Sequence, residues 1–315
     1  MQANVEGLLV VLVTALDDEL KVDAAGQRAV AEAAAGVAHG LVVGGSTGEG
    51  AYLPDRELVK ALEACAHTGK PLWGGVLRLS TRAAVVLAKA YKRAGAAGLM
   101  VGMPRTFEVQ PEQELEHISA VHDATGLPIL YYHYPDALGT YRSPEELARI
   151  MDLPGVAGMK DTTLSLVQAK SRIKAVGNRA AYMIGTTLLW PEALFMGSRG
   201  AVCPLPMLEP RVHKIWNDFL SDNRKQSLKD RERLAWMLPI MSGMSLPSHI
   251  INRGMRVASR FGLPLTAEKS PVARIKEALR LMGLPITCKV TPPLPPLTKS
   301  EARIVAKAVK ERPAT

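Results

Sequence analysis

The chain has 315 residues, 47% hydrophobic and 22% charged, a globular composition with room for one large domain or two smaller ones. Its net charge is +9, yet the basic residues are spread along helical stretches, and the densest cluster, Arg224–Arg233, is interrupted by Asp230 and Glu232, which argues for a solvated helix face and against a nucleic-acid patch. Three distant cysteines (Cys65, Cys203, Cys288) and seven histidines without HExxH or HxH spacing argue against a disulfide framework and a structural zinc site.

The N-terminal segment Met1–Gly7 has no basic region, and the apolar run after it turns acidic, unlike a secretory signal. No apolar run approaches the roughly 20 residues of a membrane span. A cytoplasmic enzyme is the expectation.

Eight short apolar runs are predicted as strands: Leu8–Leu16, His39–Gly45, Leu72–Val76, Gly98–Pro104, Pro128–Pro135, Val156–Lys160, Ala180–Thr186 and Gly200–Pro204. They lack polar alternation, as strands buried on both faces do. Helical periodicity fills the gaps, over Val22–Ala38, Pro54–His67, Thr81–Ala94, Pro111–Thr125, Ser143–Met151, Leu164–Val176, Leu188–Met196 and Leu208–Ser221. Ser143-Pro144-Glu145-Glu146 is a capping box, and Gly95 and Gly126 mark helix ends. Eight strand–helix units predict an α/β fold, a (β/α)₈ TIM barrel over residues 1–222. A doubly wound open sheet is the alternative, but no GxGxxG follows the first strand. Residues 223–315 are predicted as a C-terminal helical domain, with helices Lys225–Gly243, Pro247–Phe261, Ser270–Met282 and Ser300–Glu311 and an extended Pro292–Leu297 connector.

Function in such a barrel belongs at the C-terminal ends of strands. Strand six ends in Lys160. Simple alternation puts Val156, Gly158 and Lys160 on one side, and Ala157 and Met159 on the other. A lysine in an apolar barrel mouth loses its proton readily and can attack a ketone to form an iminium. Taken alone, a strand-end lysine is more often an ordinary surface group. Strand five ends in Tyr131-Tyr132-His133-Tyr134-Pro135, where a phenol could shuttle protons. The same tyrosines could instead fill a barrel rim. Strand two runs into Gly44-Gly45-Ser46-Thr47-Gly48-Glu49-Gly50. Gly45 lets the backbone approach a ligand, and the Ser46 and Thr47 hydroxyls with nearby amides could hold a carboxylate, although a simple turn would look alike.

In combination, Gly45–Glu49, Tyr132-His133-Tyr134-Pro135 and Gly158-Met159-Lys160-Asp161, with Tyr132 and Lys160 separated by 28 residues, give a more specific signal. The chain resembles the dihydrodipicolinate synthase / N-acetylneuraminate lyase family of class I, pyruvate-dependent aldolases over nearly its whole length. That resemblance implies a lyase in which Lys160 forms the Schiff base, typically with pyruvate. Tyr132 would shuttle the proton, and Ser46 and Thr47 would bind the carboxylate. It implies no metal and no cofactor, and a homotetramer built as a dimer of dimers.

The sequence departs from the pattern in several places. Asp136-Ala137-Leu138-Gly139 lacks the arginine by which synthases hold a second carboxylate, and its wording is closer to the neuraminate lyases. Gly185, which would line the pocket, is followed by Thr186, Thr187 and Leu188 rather than the acids a sugar would need. Cys203-Pro204 stands where a pocket serine is expected, and Arg105 where synthases carry a relay tyrosine. Arg105, with Arg78 in the loop after strand three, is expected to bind an anionic second substrate or to lie at a subunit interface; ordinary surface salt bridges are the equal alternative. Feedback inhibition by lysine is not expected.

The expected reaction joins or cleaves pyruvate and an aldehyde, with a 4-hydroxy-2-oxo acid as the cleaved substrate. Dihydrodipicolinate synthase, a 2-oxo-3-deoxy sugar acid dehydratase and an inactive 2-oxo-acid-binding paralogue are the alternatives.

Overall fold

The computed structural model describes residues 5–139, 141–186, 189–246, 248–261 and 270–313. Leu188 and Pro247, where two predicted helices begin, lie outside them, as do Thr187 and residues 1–4.

Eight parallel strands close in sequence order into a barrel. They are β1 (Gly7–Val11), β2 (Gly40–Val43), β3 (Leu72–Leu77), β4 (Gly98–Gly102), β5 (Ile129–His133), β6 (Val156–Asp161), β7 (Ala181–Ile184) and β8 (Gly200–Cys203). Between them run α1 (Ala24–Ala35), α2 (Asp55–Cys65), α3 (Thr81–Arg93), α4 (Pro111–Thr125), α5 (Pro135–Leu138), α6 (Pro144–Met151), α7 (Leu166–Val176) and α8 (Trp190–Phe195). Beyond β8 lie α9 (His213–Leu220), α10 (Arg224–Arg233), α11 (Leu238–Ser242), α12 (Ser248–Phe261), α13 (Val272–Leu281) and α14 (Lys299–Lys310). Among the described residues no helix is long and apolar enough to cross a membrane.

The predicted barrel units are all present, and the differences have local causes. The first apolar run extends to Leu16, but β1 stops at Val11. Beyond it, Leu16 bridges back to Val22, and the Thr14 hydroxyl donates to the Gly48 carbonyl. The one-turn helix α5 was not anticipated; Pro135 opens it, and four residues are too few to show a period. The predicted Lys225–Gly243 helix is broken after Arg233, and α11 restarts one residue before Pro239, which cannot donate a backbone hydrogen bond.

Inward side chains alternate with outward ones. Leu9, Val11, Val42, Trp73, Met100, Leu130, Tyr132, Met183 and Val202 fill the barrel, while Leu8, Val10, Leu41, Val43, Tyr131 and Tyr182 face the helices. Strand β6 breaks this alternation. Its pairing with β5 slips between Ile129 and Leu130, so Val156 pairs with Ile129 but Gly158 with Leu130, and Ala157 is an extra residue. Val156 therefore packs outward with Met159, and Ala157 packs inward. This corrects the parity expected for Val156 and Ala157, while Lys160 remains inward.

Glycines let the strand-two turn press against the barrel. A Cβ at Gly75 would lie 2.2 Å from the Gly44 carbonyl oxygen, and one at Gly50 would lie 1.7 Å from that same atom. Backbone cannot yield as a flexible side chain does. Gly75→Ala is therefore expected to cost about 3 kcal/mol, the upper end of the usual overpacking range, in a urea unfolding experiment.

Candidate active site

Strand register places the central pair. Tyr132 on β5 is the ladder partner of Lys160 on β6, and both side chains enter the barrel mouth. Lys160 Nζ lies 4.2 Å from the centroid of the Tyr132 ring. The Tyr132 hydroxyl lies 3.0 Å from Ser46 Oγ in the turn after β2. Three distant motifs thus converge on one point, and that point is 4% exposed at Lys160.

Among the described residues no carboxylate pairs with Lys160. Burial pushes its pKa down to about 7, with only a small opposing influence from Cys203. A good fraction of the amine is then neutral and nucleophilic near neutral pH. Burial pushes the Tyr132 phenol the other way, up to about 12, so it keeps its proton as a donor for transfer. The Tyr134 ring lies 5.9 Å from that of Tyr132, and burial pushes its phenol to about 12 as well.

The turn supplies the other wall. Gly44 has φ +72°, a Cβ at Gly45 would strike Val11 and Met100, and Gly50 N–H closes the loop onto the Gly45 carbonyl at 3.0 Å. Ser46 and Thr47 are half-buried at its tip. Two hydroxyls, the backbone amides of the turn and a nearby phenol are groups that can bind a carboxylate.

Other expected site residues fall elsewhere. Cys203 is buried at the end of β8, packs with the outer apolar layer next to inward Val202, and lies within electrostatic reach of Lys160. Of the two readings of Arg78, the salt bridge is the one observed. Its guanidinium binds Asp55 at 2.7 Å and the carbonyls of Gly50, Leu53 and Leu77, which leaves it a structural clamp beneath the turn rather than a second-substrate group. Arg105 is half-buried beside Gly139, where a Cβ would lie 3.1 Å from Arg105 Nε. Gly185 donates to the Asp161 carbonyl at 2.7 Å, and a Cβ there would meet Thr162 Oγ1 at 2.4 Å. Glycine is therefore required for β7 to close against the end of β6.

Two features escaped the sequence reading. Thr162 Oγ1 is buried beside the Tyr132 phenol, where with Ser46 it opposes part of the upward push of burial on that group. Behind β6, Asp161 accepts from His133 Nδ1 (3.1 Å), Arg172 (3.0 and 3.1 Å) and Tyr182 (2.7 Å). Burial alone would raise the Asp161 carboxyl, but these partners outweigh it and hold it below its ordinary range. Its place one residue after Lys160 was the only sequence signal. Among the described residues no cluster of three or more His, Cys, Asp or Glu is placed to hold a metal ion.

The low pKa of Lys160 has a measurable sign. An unfolded lysine keeps its proton to about 10.5, whereas Lys160 in the fold releases it at about 7. Between these values the unfolded chain holds the extra proton, so stability rises with pH across that window. Lys160→Met removes this dependence. Its melting temperature should exceed that of the wild type most at about pH 6, with the gap narrowing toward about pH 9 in scanning calorimetry.

Residues 4–230 match the profile of the Dihydrodipicolinate synthetase family. The chain is 25% identical over 307 residues to the 4-hydroxy-tetrahydrodipicolinate synthase of Archaeoglobus fulgidus, covering 97% of each. It is 29% identical over 295 residues to that of Methylobacterium radiotolerans, covering 90% of this chain and 97% of the relative. In fold it is similar to a dihydrodipicolinate synthase of Bacillus anthracis (TM-score 0.83, 21% identity, 100% of both chains). It is equally similar to a catalytic-lysine mutant of the Ruminococcus gnavus sialic acid aldolase (TM-score 0.83, 17% identity, 98% of this chain and 97% of the other). With the family profile spanning most of the chain, the protein belongs to the dihydrodipicolinate synthetase family and is a lyase of the class I aldolase type.

Proposed function

We propose that this lyase forms a Schiff base between Lys160 and pyruvate, and makes or cleaves a carbon–carbon bond between pyruvate and an aldehyde. The observation that carries this reading is a buried lysine with no counter-charge among the described residues, set 4.2 Å over a tyrosine ring whose hydroxyl reaches Ser46.

The chemistry follows from these groups. The neutral Lys160 amine adds to the ketone carbon of pyruvate, one proton is taken up by way of Tyr132 as water leaves, and a protonated imine remains. That cation withdraws electrons, so the adjacent methyl carbon gives up a proton and becomes an enamine. The enamine attacks the aldehyde carbon, and Tyr132 delivers the proton that the new alkoxide needs. Water then releases a 4-hydroxy-2-oxo acid and regenerates the amine. Cleavage is the reverse. Ser46, Thr47 and the amide of the Gly45 turn would hold the pyruvate carboxylate throughout, with Gly185 shaping the far wall.

Synthesis of a dihydrodipicolinate precursor is the second reading, supported by the names of the curated relatives. The residues 136–139 carry no arginine for a second carboxylate, but Arg105 lies against Gly139 from the neighbouring loop. It could supply that charge from another direction. An oligomer of the family's tetrameric kind is supported by Leu79, Phe107 and Tyr141, exposed on the loops after β3, β4 and α5.

Borohydride reduction with pyruvate should fix a mass adduct on Lys160, located by peptide mass spectrometry; an unmodified Lys160 at saturating pyruvate overturns the reading. Tyr132→Phe should still trap pyruvate but lower turnover of a 4-hydroxy-2-oxo acid by about 10²- to 10⁴-fold in a pyruvate-release assay. Arg105→Ala should raise KM about tenfold for an anionic second substrate and leave KM for neutral aldehydes unchanged.

A further inference from the structure

The turn that carries Ser46 and Thr47 is held from outside the barrel. Glu49, six residues beyond the end of β2, has φ +60°, a conformation that costs a side-chain-bearing residue energy unless its surroundings impose it. Its carboxylate points away from the mouth and is fully buried. There it meets the ammonium of Lys276 on α13, 227 residues later, and accepts the Thr291 backbone N–H at 2.5 Å. Lys276, equally buried, also donates to the Lys289 carbonyl at 2.6 Å.

The same C-terminal stretch grips the neighbouring loop. Thr287 Oγ1 donates to the Leu16 carbonyl at 2.8 Å, and Lys289 Nζ reaches Asp18 at 2.6 Å. Thr14 of that loop in turn donates to the Gly48 carbonyl at 2.7 Å. The loop after β1, the turn after β2, α13 and residues 287–291 thus form one closed circuit around the turn.

A buried ion pair adds little net stability, because desolvating two charges offsets most of their attraction; its better-attested use is to fix one geometry among several. We infer that Glu49 and Lys276 are positioning residues of the carboxylate site, and that the C-terminal segment is a strap holding Ser46 and Thr47 in binding geometry. This rests on the Schiff-base reading of Lys160. Neither residue touches substrate. Their effect is carried through the turn, where a shift of about 1 Å is enough to cost a large factor in binding or rate.

The test measures borohydride trapping on Lys160 against pyruvate concentration in the full chain, for the wild type, Lys276→Met, Glu49→Gln and the double variant Glu49→Gln/Lys276→Met. The half-saturating pyruvate concentration should rise about tenfold or more in the variants, with the maximal trapping rate changed less than about threefold. Hydroxyacetone, a ketone without a carboxylate, should be trapped as in the wild type. Lys276→Met leaves a carboxylate buried and unpaired and risks misfolding. The double variant removes both charges and carries the test in that event. A folded variant whose half-saturation stays within about twofold of the wild type, or which loses pyruvate and hydroxyacetone equally, overturns the strap. A wild-type chain that forms no adduct overturns the Schiff-base reading and the strap with it.

Discussion

The site depends on keeping one amine buried, with no counter-charge among the described residues. Lys160 is 4% exposed and faces an aromatic ring, and burial alone accounts for its lowered pKa. A single carboxylate within about 4–6 Å would stabilise the charged form and return the amine to its inert state. The surroundings of Lys160 are therefore constrained by what they must leave out as much as by what they supply.

Acids are abundant close by, and each is consumed elsewhere. Asp161 follows Lys160 directly but points outward, where His133, Arg172 and Tyr182 surround it. Glu49 follows the carboxylate turn and is taken by Lys276. Glu114 on α4 lies behind β5, bound to Tyr131 at 2.9 Å and to Arg142. Strand alternation separates two dielectric compartments: an apolar interior holding Lys160 and Tyr132, and an outer layer in which every one of these carboxylates has a cation or hydroxyl. The outer networks hold strand ends and turn in place without lending their field to the amine.

Much of this was legible in the sequence because it is local. Eight apolar runs and their intervening helical periods predict the closed barrel, and the order of the three motifs predicts that Ser46, Tyr132 and Lys160 meet. What the sequence left open was which partner a charge meets. For Arg78 it allowed an anion or a salt bridge alike, and nothing in its neighbourhood shows that Asp55 and the carbonyls of residues 50 and 53 surround it. Long-range pairs leave only faint traces. Lys276 occupies an apolar-face slot of α13, in step with Val272, Ile275 and Leu279, and a lysine in such a slot implies a buried partner without naming Glu49.

The bulge at Ala157 shows why the right expectation for Lys160 rested on an incomplete argument. Alternation counted from the start of β6 gives Val156 and Lys160 the same face, yet Val156 packs outward. The extra residue shifts the parity once, between Val156 and Gly158, and the remaining steps run from the shifted position. Because side chains repeat every two residues, one inserted residue exchanges the two faces of everything beyond it. Without the bulge, and with the β5 pairing kept as it is at Ile129, Asp161 would face the mouth and Lys160 the helices. Met159 would then pair with Tyr132, and a carboxylate would enter the mouth opposite Tyr134, where a desolvated amine is needed. The insertion at Ala157 therefore decides which member of the Lys160–Asp161 pair enters the barrel, and with it which chemistry the mouth can support.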